Sequence, residues 1–256
     1  MLNIHIIPAL ADNYIYLLHE PCSGETAAVD PAEAEPVLQA LQQRGLQLNY
    51  VFNTHHHGDH VGANIELKQT TGCRIVGALA DRARIPGIDI AVSEGDVLKL
   101  GDQPLKVLET PGHTLGHVAY YCSESQALFC GDTLFSMGCG RLFEGSAEQL
   151  YQSLQKLASL PAATRVYCAH EYTAANGRFA LTLEPENPAL QRRAAEVAGL
   201  RRQGLPTLPS TLADETACNP FLRTDSAAIR RAVVADAQTP AAEVFARIRR
   251  LKDEFR

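Results

Sequence analysis

The chain has 256 residues, of which 46% are hydrophobic, and its net charge is −6 at neutral pH. This length corresponds to one large domain or two ordinary ones, and the hydrophobic content excludes a disordered chain. No run of roughly 18 apolar residues occurs, so the sequence contains no candidate membrane helix. The first residues, MLNIHIIPALADNYIY, lack a basic region followed by an apolar stretch, and we expect no export signal.

The cysteines and the charge distribution narrow the class of protein further. The seven cysteines are scattered and contain no C-x-x-C pair, so we expect free thiols and a cytoplasmic location. Up to Thr173 there are 10 Lys/Arg against 19 Asp/Glu, and beyond it 13 against 10. The acidic first part argues against a nucleic-acid partner. The positive charge of the second part is compatible with binding of a small anion. It is equally compatible with Arg-rich helices whose charged faces are solvated.

Short apolar runs separated by turn residues predict nine strands before Thr173. In chain order they are LNIHII, NYIYLL, TAAVD, LNYVFNT, CRIVGAL, PLKVLET, HVAYY, QALFCGD and TRVYCAH. Helices are predicted among them at EAEPVLQALQQRG, which ends on Gly45, at GANIELKQTTG, and at SAEQLYQSLQKLASL. In the last, Ser146 and Gln149 have the spacing of a capping box. This alternation predicts a mixed α/β fold in which helices flank one or two sheets.

After Thr173 the strand-like runs stop and the sequence becomes helical. NPALQRRAAEVAGLRRQG, DSAAIRRAVVAD and TPAAEVFARIRRLKDEF each suit a helix. In the third, Thr239 is predicted to cap the helix and Pro240 to take its first position. The apolar stripe predicted to pack inward comprises Val244, Ile248, Leu251 and Phe255. We therefore predict two domains, residues 1–173 and residues 174–256.

The segment NTHHHGDHVGAN contains four of the nine histidines. In an extended backbone, His55 and His57 point to one side and His56 to the other. Asp59 and His60 follow at the turn into the next helix. Imidazoles with a carboxylate suit zinc, and iron or manganese also fit. One tetrahedral site cannot use all four donors and leave room for a substrate, so we predict two adjacent metal ions.

Two metal ions need more ligands, and three later residues supply them. His113, Asp132 and His170 each stand at the end of a predicted strand, where loops from one sheet edge can converge. Individually each is as readily a structural residue, so their combination with the histidine segment carries the prediction. His5, His19 and His56 are expected to be structural or surface residues, and His117 is a candidate to support a ligand.

These residues resemble the metallo-β-lactamase superfamily, through T-H-x-H-x-D-H, PGHT, CGDT and AHEY, with Asp30 of AAVDP matching its supporting aspartate. The resemblance narrows to glyoxalase II, the hydroxyacylglutathione hydrolases. The segments that carry it are ADNYIYLL, THHHGDHVGAN, GDTLFSMGCGRLFEG, CAHEYT and RRLKDEF. It implies a four-layer αββα sandwich followed by a C-terminal helical domain that binds glutathione.

The resemblance also implies roles for individual residues. The first metal ion would be bound by His55, His57 and His113, and the second by Asp59, His60 and His170. Asp132 would bridge both, and Asp59 and Asp132 would be catalytic. Glutathione would be bound by Arg141, Tyr172, Arg249 and Lys252. Arg249 and Lys252 are three residues apart on one helix, so they share a face that can grip a carboxylate. Better-known eukaryotic members have a tyrosine where Phe143 stands here, so this chain lacks the hydroxyl at that position.

The implied reaction is hydrolysis of S-(2-hydroxyacyl)glutathione, and of S-lactoylglutathione in particular, with a metal-bridging hydroxide as nucleophile. A glutathione persulfide dioxygenase that uses a single iron is the main alternative, and the closing RRLKDEF segment argues against it. A two-metal nucleic-acid phosphoesterase is disfavoured by the acidic first part, and a non-enzymatic metal binder by the complete ligand set. We expect a monomer that contacts neither nucleic acid nor membrane.

Overall fold

The computed structural model describes residues 1–255, and these form two compact units. The first unit comprises Met1–Thr110 and Leu115–Gly131, and the second comprises Pro111–Thr114 and the chain from Asp132 onwards. The predicted domain boundary after Thr173 falls inside the second unit, and the division at that point stays a prediction. No helix among the described residues is both long enough and apolar enough to cross a bilayer.

The first unit contains two sheets. One has six strands in spatial sequence, β1 (Asn3–Ala9), β2 (Asn13–His19), β3 (Thr26–Val29), β4 (Tyr50–Phe52), β5 (Arg74–Ala78) and β6 (Ile88–Val92). The first three are antiparallel, and β3 to β6 are parallel. The other sheet contains the antiparallel strands β7 (Val97–Leu100), β8 (Gln103–Glu109), β9 (Val118–Cys122) and β10 (Ala127–Gly131). The helices of this unit are α1 (Ala34–Arg44), α2 (Gly58–Val61) and α3 (Asn64–Thr71).

Aromatic side chains join the two sheets face to face. The ring centroids of Tyr16 on β2 and Phe129 on β10 are 5.8 Å apart, and those of Phe52 and Tyr120 are 5.4 Å apart. The Tyr120 hydroxyl donates to the Asn53 carbonyl at 2.8 Å, which satisfies the one polar group of this buried ring. On the opposite side of the six-stranded sheet, α1 and α3 bury an aliphatic core that includes Val37, Leu41 and Leu67. The histidine segment leaves the sheet at the end of β4, between these layers.

The second unit is mainly helical. Its short strands are β11 (Leu134–Phe135), β12 (Gly138–Cys139), β13 (Arg165–Cys168) and β14 (Ser210–Thr211). Its helices are α4 (Ala147–Ala158), α5 (Thr173–Leu183), α6 (Pro188–Arg202), α7 (Leu212–Cys218), α8 (Ala227–Ala232) and α9 (Ala241–Glu254). A short 3-10 helix spans Pro220–Leu222. Helix α4 packs against α9, and α5 packs against α6.

A chain of aromatic rings forms the core of the second unit. Phe221 lies 6.3 Å from Phe179 on α5 and 5.6 Å from Phe245 on α9, measured between ring centroids. Phe179 also contacts Phe255 at 5.4 Å. These contacts fix the position of α9, which carries two of the four predicted glutathione-binding residues, Arg249 and Lys252.

All nine predicted strands and all six predicted helices are present. The capping box at Ser146 is confirmed, and Gly45 ends α1 with a φ of 63°, a left-handed conformation that suits glycine. The cap predicted at Thr239 is wrong, because its hydroxyl donates to Asp236 and α9 begins at Ala241. The inward position of Leu251 is also wrong. Leu251 is 39% exposed, and the buried positions of α9 are Val244, Phe245, Ile248 and Arg249.

Candidate metal centre and cation pocket

The first unit brings the donors of the histidine segment together. His55 Nε2 lies 2.9 Å from His57 Nδ1, and the ring centroids of His55 and His60 are 4.0 Å apart. A nitrogen of His60 also lies 3.5 Å from Asp59 Oδ2. His55 and His60 are fully buried. Buried imidazoles and a carboxylate at these separations have the chemistry of a divalent-metal site.

Asp30 orients His60. One oxygen of Asp30 accepts the Thr54 backbone N–H at 2.7 Å, and the other accepts the Thr54 hydroxyl at 2.7 Å. The second oxygen also lies 3.1 Å from His60 Nδ1. The two ring nitrogens of His60 therefore face two different carboxylates, Nδ1 facing Asp30 and Nε2 facing Asp59. Asp30 therefore has the supporting position that its sequence context predicts.

Asp59 is held as a carboxylate. Hydrogen bonding to His60 holds the pKa of Asp59 well below its usual range, against the opposing effect of partial burial. Asn13, at the start of β2, adds a second hydrogen bond, from Nδ2 to Asp59 Oδ2 at 3.1 Å. The side chain is therefore ionised at neutral pH and aimed by two neighbours.

His56 contacts Asp81, and its ring centroid lies 4.9 Å from that of His57 and 6.3 Å from that of His55. Its Nδ1 lies 2.9 Å from Asp81 Oδ2, and Arg84 Nε donates to the other oxygen of Asp81 at 3.1 Å. Asp81 is 1% exposed, so this contact ties the histidine segment to the residues that follow β5. His56 is thus a structural residue that fixes the loop.

His117 packs against a predicted ligand. Its ring stacks on His55 at 4.8 Å with an interplanar angle of 23°, and its Nδ1 lies 2.8 Å from the Thr110 hydroxyl. This position suits the supporting function considered for it. His19 contacts Thr26 at 3.2 Å and is structural, as expected.

The second unit brings the other three donors together, with one nitrogen of His113 and one of His170 close to Asp132. One oxygen of Asp132 lies 3.4 Å from His113 Nε2, and the other lies 3.4 Å from His170 Nε2. His113 Nδ1 lies 2.7 Å from the Arg141 carbonyl, so Nδ1 carries the hydrogen and Nε2 has the free lone pair. A carboxylate whose two oxygens each face an imidazole nitrogen has the geometry of a bridging ligand.

The same unit contains a cavity of about 340 Å³. The residues that argue for its function are Arg141, Phe143, Tyr172, Arg249, Lys252 and Asp253, all of which line it. We call this cavity the cation pocket. His113 and Asp132 also line it, so the pocket adjoins two of the predicted metal ligands.

The four residues predicted to bind glutathione differ in side-chain exposure and in the contacts that hold them. The side chain of Arg141 is 61% exposed, whereas that of Arg249 is 6% exposed. Arg249 Nη1 donates to the Cys139 carbonyl at 3.0 Å. Tyr172 stacks on His170 at 4.7 Å with an interplanar angle of 3°. Burial and the repulsion of neighbouring arginines lower the pKa of Lys252. Arg249 therefore shapes the pocket wall, whereas Arg141 presents an exposed charge and Lys252 a half-buried one.

Comparison with known proteins decides the family. A model of the metallo-β-lactamase superfamily matches residues 22–170, and a model of the hydroxyacylglutathione hydrolase C-terminus matches residues 171–255. The hydroxyacylglutathione hydrolase of Methylococcus capsulatus is 60% identical over 256 residues, which cover 100% of both chains. That of Rhodospirillum rubrum is 55% identical over 254 residues, which cover 99% of both chains. This chain belongs to the hydroxyacylglutathione hydrolase family.

The hydroxyacylglutathione hydrolase C-terminal match begins at Glu171 and so includes every helix from α5 to α9. The crystal structure of the BLEG-1 B3 metallo-β-lactamase has a TM-score of 0.67 to this chain at 24% identity, covering 86% of this chain and 100% of the other. The predicted metallo-β-lactamase fold, an αββα sandwich with a C-terminal helical region, is confirmed. Membership of a hydroxyacylglutathione hydrolase family, together with the two donor clusters, indicates divalent metal binding.

Sequence reasoning missed three residues that contact the predicted site residues. Asn13 contacts Asp59, 46 residues later, and Asp81 contacts His56, 25 residues earlier. No local sequence spacing predicts contacts at such separations. The contact of Asp253 could have been predicted, because this residue lies four positions after Arg249 on a helix. Arg249 Nη2 donates to Asp253 Oδ1 at 3.0 Å.

Proposed function

We propose that this chain hydrolyses S-(2-hydroxyacyl)glutathione thioesters, with S-lactoylglutathione as the natural substrate, to glutathione and a 2-hydroxy acid. This reaction is the second step of methylglyoxal detoxification. The observation that carries the proposal is the full-length identity of 60% to a protein named hydroxyacylglutathione hydrolase. All seven predicted metal-binding residues are present and belong to the two donor clusters described above.

We assign two divalent metal ions, most simply zinc, to these seven residues. His55, His57 and His113 would bind one ion, and Asp59, His60 and His170 the other, with Asp132 shared between them. The contact of His113 favours this assignment, because the Arg141 carbonyl accepts from Nδ1 and leaves Nε2 free to bind a metal ion. When bound, the ions would acidify a water molecule and withdraw charge from the substrate carbonyl.

The protein residues act on the water and on the thioester. Asp59, ionised and fixed by Asn13, is suited to accept the hydrogen of the attacking water and so orient its lone pair toward the carbonyl carbon. Collapse of the tetrahedral intermediate expels the glutathione thiolate. A thiol has a pKa of about 8.5, so the thiolate departs without a general acid. The reaction therefore needs no general acid for the leaving group.

The cation pocket would bind the glutathione portion. A tripeptide with two carboxylates matches the exposed Arg141 and the partly buried Lys252, and Tyr172 offers a hydroxyl and a flat ring face. Arg249 would contribute its charge from the wall. Phe143, 60% exposed with its ring 5.1 Å from that of His113, would cover the ligand without a polar contact.

The alternative, a glutathione persulfide dioxygenase with one iron, is less well supported. The full-length relatives named above at 55% and 60% identity are hydroxyacylglutathione hydrolases. We also propose that the enzyme is cytoplasmic and monomeric. The odd number of cysteines favours the cytoplasmic location.

Thiol release tests the proposed function. The purified protein is incubated with S-lactoylglutathione, and free thiol is measured before chelation, after chelation and after zinc is restored. We expect hydrolysis that stops on chelation and returns with zinc. An oxygen electrode with glutathione persulfide runs in parallel. Oxygen uptake without thioester hydrolysis would refute the proposal and establish the alternative.

A further inference from the structure

The cation pocket contains a carboxylate of its own. Asp253 Oδ1 accepts a hydrogen bond from Arg249 Nη2 at 3.0 Å and lies 3.5 Å from Arg141 Nε. A single carboxylate oxygen therefore contacts two of the three cations that line the pocket. The Asp253 side chain is 39% exposed and lines the pocket, so a ligand that fills the pocket would lie beside this carboxylate.

The two arginines depend on Asp253 to different degrees. Arg249 Nη1 donates to the carbonyls of Cys139 and Gly140, at 3.0 and 3.4 Å, so the backbone holds this guanidinium. The 61% exposed side chain of Arg141 meets Asp253 at the surface, where an ion pair is weak and easily exchanged. An incoming carboxylate would therefore compete with Asp253 for Arg141 and leave Arg249 in place.

Charge in the pocket determines how tightly an anionic ligand is held. Arg141, Arg249 and Lys252 are cationic, and Asp253 removes one of these charges. Asp253 also opposes the repulsion from Arg249 and Arg141 that lowers the pKa of Lys252. Glutathione has the same two carboxylates before and after the thioester is cleaved. Attraction to those groups holds substrate and product equally, so it lowers KM without accelerating the chemical step.

We propose that Asp253 is a specificity-determining residue that competes with a glutathione carboxylate for Arg141 and thereby weakens the binding of substrate and product. The inference rests on the proposed function. Its consequence is faster product release at the expense of affinity. It also favours ligands with two carboxylates, which can engage Lys252 and still displace Asp253.

Asp253→Asn is the direct test, because it keeps the shape and the acceptor for Arg249 and removes only the charge. We expect the KM for S-lactoylglutathione and the inhibition constant of glutathione each to fall about two- to fivefold, with kcat not increased. The KM for S-lactoyl-N-acetylcysteamine, a thioester without carboxylates, should not change. The effect should shrink in 0.5 M salt, about the concentration at which surface charges are strongly screened.

Glu254→Gln is the matched control. It makes the same charge change one residue further along α9, at an exposed side chain that does not line the pocket. It should leave all three constants at their wild-type values. If the wild type hydrolyses S-lactoylglutathione and Asp253→Asn has an equal or higher KM, the inference fails and the proposed function stands. A wild type without hydrolysis would refute both.

Discussion

At the scale of single residues, the structure explains how carboxylates and imidazoles are kept ready for metal ions. Two of the donor histidines each contact a further protein group through the ring nitrogen Nδ1. Asp30 contacts Nδ1 of His60, and the Arg141 carbonyl contacts Nδ1 of His113. Such contacts fix the ring nitrogen that bears the lone pair. The chemistry of the candidate site therefore depends on residues outside the ligand set.

Asn13 provides a test of this dependence. In Asn13→Ala, Asp59 loses the hydrogen bond from Nδ2, so we expect kcat for S-lactoylglutathione to fall by about ten- to a hundredfold. The control is Asn3→Ala, at an exposed position of β1, which should retain wild-type kcat. Wild-type kinetics in Asn13→Ala would show that Asp59 needs no such partner.

At the scale of helices and strands, local rules account for most boundaries. Ser146 Oγ accepts the Gln149 N–H at 3.2 Å, and Gln149 Oε1 accepts the Ser146 N–H at 2.9 Å. Ser146→Ala removes one of these bonds from the start of α4, and we expect a loss of about 1 kcal/mol in the free energy of unfolding. Urea unfolding measures it, with Ser123→Ala in the exposed β9–β10 turn as control. Equal stability of the two variants would contradict the importance of the cap.

Helix α7 carries the buried carboxyl of Glu215. It accepts hydrogen bonds from the Met137 N–H at 2.8 Å and from Asn219 Nδ2 at 3.0 Å. Burial raises the pKa of Glu215, which outweighs these hydrogen bonds. An acid whose pKa is raised by folding stabilises the fold below its unfolded pKa, and this contribution is lost as pH rises through the folded pKa.

Glu215→Gln keeps both acceptor contacts and cannot ionise. We therefore expect its melting temperature, relative to that of the wild type, to rise between pH 5 and pH 8. Thermal unfolding of both proteins across this range measures the difference. If the difference between them is the same at every pH, Glu215 does not titrate as its burial requires.

The sequence predicted the helices and strands that have a clear local pattern of apolar residues. It did not predict those that depend on contacts with distant parts of the chain. Helix α5 was missed because Gly177 interrupts its pattern. A Cβ there would lie 2.9 Å from the Met137 side chain, so packing accounts for the glycine. Strands β6 and β7 were missed because they are short edge strands with polar residues between the apolar ones. The ligands were predictable because four lie within six consecutive residues and three follow the ends of strands, whereas the partner of His56, Asp81, is defined only by the fold.

At the scale of the whole molecule, the compact units do not coincide with the predicted domains. Helix α4, before Thr173, buries Leu150, Leu154 and Leu157 within the second unit and packs against α9. A fragment that ends at Thr173 would therefore expose an apolar face of α4. We expect this fragment to lack a cooperative thermal transition, measured by circular dichroism against the full chain. A cooperative transition would support an independent domain at residues 1–173.

The central claim is that Asp132 bridges two metal ions on which hydrolysis depends. The most direct measurement is metal content together with activity in Asp132→Ala, beside the wild type and Asp102→Ala at an exposed turn position. We predict two divalent ions per chain in the wild type and in Asp102→Ala. We predict that Asp132→Ala loses both ions and S-lactoylglutathione hydrolysis together. Retention of two ions or of full activity in Asp132→Ala would contradict the claim.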